Sequence, residues 1–336
     1  MGTAAMAGVL ANEGQTWHLL WIDPIAVAIL ILASVLGVVL LPRYVRRIVQ
    51  IRALQVELSN PATGPMLGTF PAGILLLGIN WARVGPMLVG QTLSLWVDAV
   101  LLVIGLLMAL GMGTWWAANM THTEHGLASV HGGWLIPTVM NLLVPMAIAP
   151  LAVANPEAAP LLLLIGFAFL GIGTFLFLAI FALLVARLTT CEPAPVALAP
   201  SLWIPLAPAG LIGLATLRLI QAGNASGLIG NEVVGDETVS LGVAISAMGI
   251  GFGLWWAIFT SINLFRIHRS TPLPIHIGWW SFVFPTAAMA LSIGAVGLAT
   301  GLVAVQIVGA IAAVGLVWVW AMVAWWTMRA VYRARA

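Results

Sequence analysis

Apolar residues run through this chain in blocks of membrane-crossing length, separated by short polar connections. About twenty such residues cover the hydrocarbon core of a bilayer. Residues 24–41, 66–81, 95–117, 134–154, 161–184, 202–220, 241–265, 279–299 and 303–326 form such blocks and predict nine complete spans. Residues 1–11 are apolar and rich in small side chains but too short to cross alone. None of the blocks shows the alternating ten-residue strands of a barrel, so the spans are read as α-helices.

A second pattern lies over the first. Prolines follow an aromatic residue in every second block: Phe70 with Pro71, Trp134 with Pro137, Trp203 with Pro205 and Pro208, and Phe284 with Pro285. Pro145 lies farther along the block that holds Pro137, and the intervening blocks contain no interior proline. An interior proline removes a backbone N–H and kinks a helix. In a membrane the freed groups survive only against protein or water. The alternation therefore predicts kinked inner helices and straight outer ones. With residues 1–11 counted as the end of a first helix, the proline-bearing helices are odd-numbered, and ten helices pair into five hairpins. The connections 43–65, 118–133, 221–239 and 266–278 are too short to bury cores of their own, so residues 1–336 form one membrane domain.

Arginine placement orients the bundle. Arg43, Arg46, Arg47, Arg52, Arg187, Arg266, Arg269, Arg329, Arg333 and Arg335 fall on every second connection or in the tail. The alternate connections hold only Arg83 and Arg218, with Glu13, Asp23, Glu157, Glu232, Asp236 and Glu237. By the positive-inside rule the arginine-rich side is cytoplasmic, and so is the C-terminus. A cell inner (plasma) membrane protein is expected.

Composition agrees and narrows the chemistry. With 62% hydrophobic and 7% charged residues and a mean hydropathy of +1.10, the chain has too little polar surface for a water-soluble globule. All twelve basic residues are arginines at or near helix ends, which points to orientation and not to nucleic acid. The single cysteine, Cys191, allows no internal disulfide and no cysteine-based zinc site. Tryptophans at helix ends, including Trp115, Trp116, Trp279, Trp280, Trp325 and Trp326, are read as interface anchors. His122, Glu124, His125 and His131 cluster on one cytoplasmic connection, but their spacing matches no closed metal site and a solvated loop is expected. With no phosphate loop, nucleophile elbow or paired intramembrane carboxylates, neither catalysis nor a cofactor is expected.

Four strings carry a family resemblance: LGTFPAGILLLGIN (67–80), GGWLIPTVMNLLVP (132–145), PSLWIPLAPAG (200–210) and GWWSFVFPTAAMAL (278–291). They resemble the tellurite-resistance/dicarboxylate transporter family, which includes malate permeases, sulfite pumps and slow anion channels. Met1-Gly2-Thr3-Ala4 resembles a Met-Gly-Thr-Gly string near the middle of that family's first helix, so the chain is expected to start inside its first spanning helix. The resemblance implies kinked odd helices lining a central pore, even helices outside, and a homotrimer with one pore per subunit. It also implies that Phe284, beside Pro285, occludes the pore.

Other candidates come from the residues themselves. Thr69, Thr138, Asn141, Thr216 and Thr286, with Asn80, are the polar pore-lining candidates on the inner set, with helix–helix hydrogen bonding as their alternative role, and Phe70 is a candidate second lining ring. Arg83 and Arg218 are read as mouth residues that concentrate anions. Asp98 is the one acidic residue within a predicted span and a candidate for proton coupling, although its place near the outer end of an outer helix lets it reach the headgroups. The leading reading is a secondary carrier or channel for small anions such as malate, other C4-dicarboxylates or sulfite. An anion channel of other selectivity is the alternative. A haem-bearing redox subunit is a different class, but no histidine lies in the middle of a span to ligate it.

Overall fold

The computed structural model describes residues 1–122, 124–228 and 232–333. Arg335 and the side chains of Glu232 and Asp236, counted in the charge pattern above, lie outside the described residues. Ten long helices carry the fold: α1 (Gly2–Thr16), α2 (Asp23–Val49), α3 (Thr69–Val84), α4 (Gln91–His122), α5 (Ile136–Ala154), α6 (Ala159–Thr190), α7 (Leu206–Ala225), α8 (Glu232–Ser270), α9 (Val283–Thr300) and α10 (Val303–Arg333). Among the described residues, nine segments, corresponding to α2 through α10, are long and apolar enough to cross a membrane.

The packing is a ring inside a ring. α1, α3, α5, α7 and α9 each touch the next, and α9 closes on α1. Every even helix lies in the groove between two of them: α2 against α1 and α3, α4 against α3 and α5, α6 against α5 and α7, α8 against α7 and α9, α10 against α9 and α1. Burial follows this division. The most apolar stretches of the segments ending in α3, α5, α7 and α9 are 56%, 83%, 67% and 72% buried, against 17%, 28%, 33%, 22% and 22% for α2, α4, α6, α8 and α10. The inner and outer classes expected from the proline pattern are therefore present.

The proline geometry behind that expectation needs correction. Pro71, Pro137, Pro208 and Pro285 lie in the first turns of α3, α5, α7 and α9, and Pro205 is the residue just before α7. A first-turn N–H has no intrahelical acceptor to lose. These five prolines start helices and do not kink them. Each follows a 3₁₀ segment: Gly64–Gly68, Gly132–Leu135, Val196–Trp203 and Ile277–Phe282. Pro145 does lie inside α5, joined by Pro150. Pro42 lies inside α2, where no interior proline was expected. It sits about 27 Å along the helix from Pro24 and beside Arg43, where the headgroup region and water can satisfy the freed carbonyl.

One cap recurs at two inner helices. His131 and His276 each precede a 3₁₀ segment and accept through Nδ1 from the N–H two residues on, Gly133 at 3.1 Å and Gly278 at 3.0 Å. The tryptophans that follow, Trp134 and Trp279, donate Nε1–H to the carbonyls of Pro61 and Pro274. His131 is thus a buried cap and not part of a solvated loop. Trp116 is likewise no interface residue: it is buried, edge-on to Trp134 at 5.4 Å.

Small residues let the rings approach. A Cβ on Gly213 of α7 would lie 2.2 Å from Ser246 Cα on α8, which no rotamer change relieves. Asp98 also differs from expectation. It does not reach the headgroups but is 0% exposed, facing Gly78 of α3, where an added Cβ would lie 2.7 Å from its Oδ1. Neither carboxyl oxygen has a hydrogen-bond partner among the described residues. The reason is the seat of α4 between α3 and α5, which turns this face inward.

Two stability outcomes follow and can be read by thermal unfolding in detergent. Gly213→Val should lower stability by roughly 1–3 kcal/mol through overpacking; an unchanged melting temperature would mean that α7 and α8 separate freely. Asp98→Asn, which keeps the shape and removes the ionisable group, should raise stability by about 1 kcal/mol or more. A lower melting temperature would show that the carboxyl is held by a favourable contact.

Candidate functional site

The five inner helices enclose one cavity, with about 520 Å³ of empty space counting the part open to solvent. α1 contributes Ala5 and Gly8, α3 Leu76, Ile79, Asn80 and Arg83, α5 Leu143 and Met146, α7 Leu211, Leu214 and Arg218, and α9 Phe284, Ala288 and Leu291. Because all five run in the same sense, residue number measures depth. At a rise of 1.5 Å per residue, Phe284 to Leu291, Leu76 to Arg83 and Leu211 to Arg218 each cover about 10 Å. Phe284 therefore marks the end nearest the helix N-termini, and the two arginines mark the other.

The wall between those ends is mostly aliphatic, so the guanidiniums dominate its electrostatics. Both are partly buried. Arg83 donates from Nη2 to Asn12 Oδ1 at 3.0 Å and Gln15 Oε1 at 3.4 Å, and its buried Nε has no partner. Arg218 donates from Nη1 to Gln221 Oε1 at 3.2 Å. All these acceptors are neutral. Among the described residues the one salt bridge is Arg47–Glu57, far from the cavity on the arginine-rich side. Glu13 is the carboxylate that faces Arg83, but it is held by other groups: Asn12 Nδ2 donates to Oε1 at 3.4 Å and Trp17 Nε1 to Oε2 at 3.1 Å. Two cations that repel each other thus share a narrow cavity without a paired anion.

Of the residues singled out from sequence, Phe284, Asn80, Arg83 and Arg218 come together here. The threonines and Asn141 are engaged by backbone carbonyls of their own helix or of the 3₁₀ segment that leads into it. Thr69 donates to Met66 O, Thr138 to Leu135 O, Asn141 to Pro137 O, Thr216 to Ile212 O and Thr286 to Phe282 O. Thr286 also accepts from Trp203 Nε1 at 3.0 Å. Phe70 stacks on Tyr44 of α2 with centroids 4.0 Å apart, and Asp98 lies between α3 and α4. None of these seven lines the cavity. Asn12 and Glu13 were missed as site residues. The available signal was that Arg83 and Arg218 are the two arginines on an otherwise acidic side, so a carboxylate opposite them was worth seeking.

On the other side of the bundle, His131 donates toward Pro61 O at 3.3 Å while its Nδ1 accepts, which fixes a neutral ring. Burial pushes its pKa down and nearby Arg187 adds to this, against the carbonyls of Pro61 and Ala62, which pull it up. Among the described residues no group of three or more His, Cys, Asp or Glu is placed to hold a metal ion.

The chain is similar to several known proteins. An uncharacterized transporter of Methanocaldococcus jannaschii is 28% identical over 233 residues, covering 68% of this chain and 63% of the relative. A second uncharacterized transporter of that organism is 28% identical over 240 residues, 70% and 64% of the two chains. The "Putative malic acid transport protein" of Schizosaccharomyces pombe is 26% identical over 216 residues, 58% of this chain and 49% of that one. The chain therefore spans less than two thirds of the length of each of these relatives. A family model described as "Voltage-dependent anion channel" (SLAC1) matches residues 1–328, and with the five-hairpin ring around a cationic cavity this places the chain in that family.

Proposed function

We propose that this protein moves small anions across the membrane through the inner-ring cavity, as a secondary carrier or channel gated by Phe284. The observation that carries this reading is the pair Arg83 and Arg218, facing one cavity with neutral acceptors in place of carboxylates. Guanidiniums are weakly hydrated and suit planar oxyanions. A mobile anion is the counter-ion that such a site lacks. C4-dicarboxylates such as malate, or sulfite, are the substrates put forward; the name of the fission-yeast relative supports the former. The working unit is a homotrimer in the inner (plasma) membrane with its C-terminus in the cytoplasm.

Flux into proteoliposomes of malate, sulfite, nitrate and chloride, each with and without a pH gradient, tests the proposal. Entry of none of them overturns it. Phe284 is 7% exposed at the deep end of the cavity, and an apolar ring at a constriction stops ions by steric block and dewetting. Phe284→Ala is therefore expected to raise flux about tenfold or more, and unchanged flux in a folded variant would remove the ring as the gate. Arg218→Gln should lower flux and weaken anion binding roughly tenfold, since a partly buried charge acting on a ligand is worth on the order of 1.4 kcal/mol. Equal affinity in parent and variant would remove Arg218 from the path.

A further inference from the structure

Beyond the transport reading, and resting on it, lies the question of how Glu13 behaves when an anion enters. Glu13 is buried at the arginine end of the bundle, one residue from Asn12, whose carbonyl oxygen accepts from Arg83. Its carboxylate has two donors, Asn12 Nδ2 and Trp17 Nε1, and no salt bridge among the described residues. A Cβ on Gly294 of α9 would lie 2.5 Å from Asn12 Nδ2 and 3.8 Å from Glu13 Oε1, so this pair is packed against α9. Charge in its neighbourhood is sparse. From the elements packed on α1, Arg83 of α3 faces it, and Arg218 of α7 lies beyond Arg83. Asp23, at the start of α2, approaches Gly14, and His18 is exposed on the following turn. α9 has no titratable residue, and α10 carries Arg329, Tyr332 and Arg333 at its far end.

The balance at the arginine end is therefore two guanidiniums against Glu13, the buried carboxylate nearest them, with half-buried Asp23 beside Gly14. An ionised Glu13 offsets one of the two guanidinium charges and repels an incoming anion. Protonation removes that repulsion without moving a helix. We propose that Glu13 is the proton-binding group of this site, so that anion occupancy at Arg83 and Arg218 and protonation of Glu13 promote each other. Linkage makes the effect reciprocal: each ligand raises the affinity of the other by the same factor. Acid on the Glu13 side drives anion entry, and an arriving anion draws a proton to Glu13.

Chloride is the probe, because it does not titrate and any pH effect then belongs to the protein. Chloride flux into proteoliposomes is followed with an enclosed chloride-sensitive dye between pH 5 and 8. The parent should conduct about tenfold faster at the acid end. Glu13→Gln should be fast and flat across the range, and Glu13→Asp should keep a slope. Trp17→Phe removes the donor at 3.1 Å that favours the ionised carboxylate, so it should move the midpoint to higher pH; this variant decides the matter if Glu13→Gln does not fold. Asp98→Asn should follow the parent's profile. A flat parent profile, a slope that persists in Glu13→Gln, or an unmoved midpoint in Trp17→Phe overturns the inference while leaving anion transport intact. Absence of flux for chloride, malate, sulfite and nitrate alike overturns the transport reading, and this one with it.

Discussion

Hydrocarbon offers no hydrogen-bond partner to a peptide group, and this constraint decides where the inner helices of the protein begin. A proline deep in a lipid-facing helix strands the carbonyl four residues earlier. The same proline in the first turn strands nothing. Pro71, Pro137, Pro208 and Pro285 sit in that turn, each after a 3₁₀ segment that hands the chain from the connection to the ring. Since every inner helix is entered from the same side, all five run parallel and their dipoles add. The N-terminal ends present positive potential to the arginine-rich side, and the C-terminal ends need cations. Arg83, in the last turn of α3, answers that need on the opposite side.

Placing two guanidiniums round one cavity costs desolvation, several kcal/mol for each ion that is fully enclosed. Here the cost is limited, because both remain partly exposed and each keeps an amide oxygen as acceptor. A salt bridge would be the ordinary solution and would cancel the attraction for a diffusing anion. Neutral amides satisfy donor geometry and leave the charge in force. Conduction also requires that binding be shallow enough for release. On the proposed reading, repulsion between Arg83 and Arg218 raises affinity for an anion and a nearby ionised carboxylate lowers it, so these two terms set the depth of the well.

Much of this architecture was legible in the sequence. Block lengths located all nine long segments, although several helices run up to nine residues past the blocks, and proline alternation separated inner from outer helices even though its kink rationale was wrong in detail. A first-turn and an interior proline look alike when the helix start is unknown, and 3₁₀ lead-ins carry no signature in hydropathy. The site was less legible. Phe284 was found through its neighbouring proline and the family strings. Thr138 and Asn141 were favoured because they are polar on inner helices, yet membrane helices turn such groups onto their own carbonyls. Asp98 could not be placed from sequence, because facing inward on an outer helix depends on Gly78 in another segment.

Phe284 and the two guanidiniums occupy different levels of one cavity, and on the proposed transport reading that separation gives them different tasks. An anion proposed to be held at Arg83 and Arg218 would stand about 10 Å from Phe284, across a wall that Leu76, Leu143, Leu211 and Ala288 make largely apolar, with Asn80 on it as a polar side chain. Electrostatics can select the ion there but cannot carry it across the apolar stretch, where water must enter first. Closure of the inner ring resists widening, since each inner helix is packed against two inner and two outer neighbours. On the reading of Phe284 as the gate, a side-chain rotation there opens the path at lower cost than any helix displacement. The same reading assigns selectivity to the residues at one end and rate to a ring at the other, so that each can change without disturbing the other.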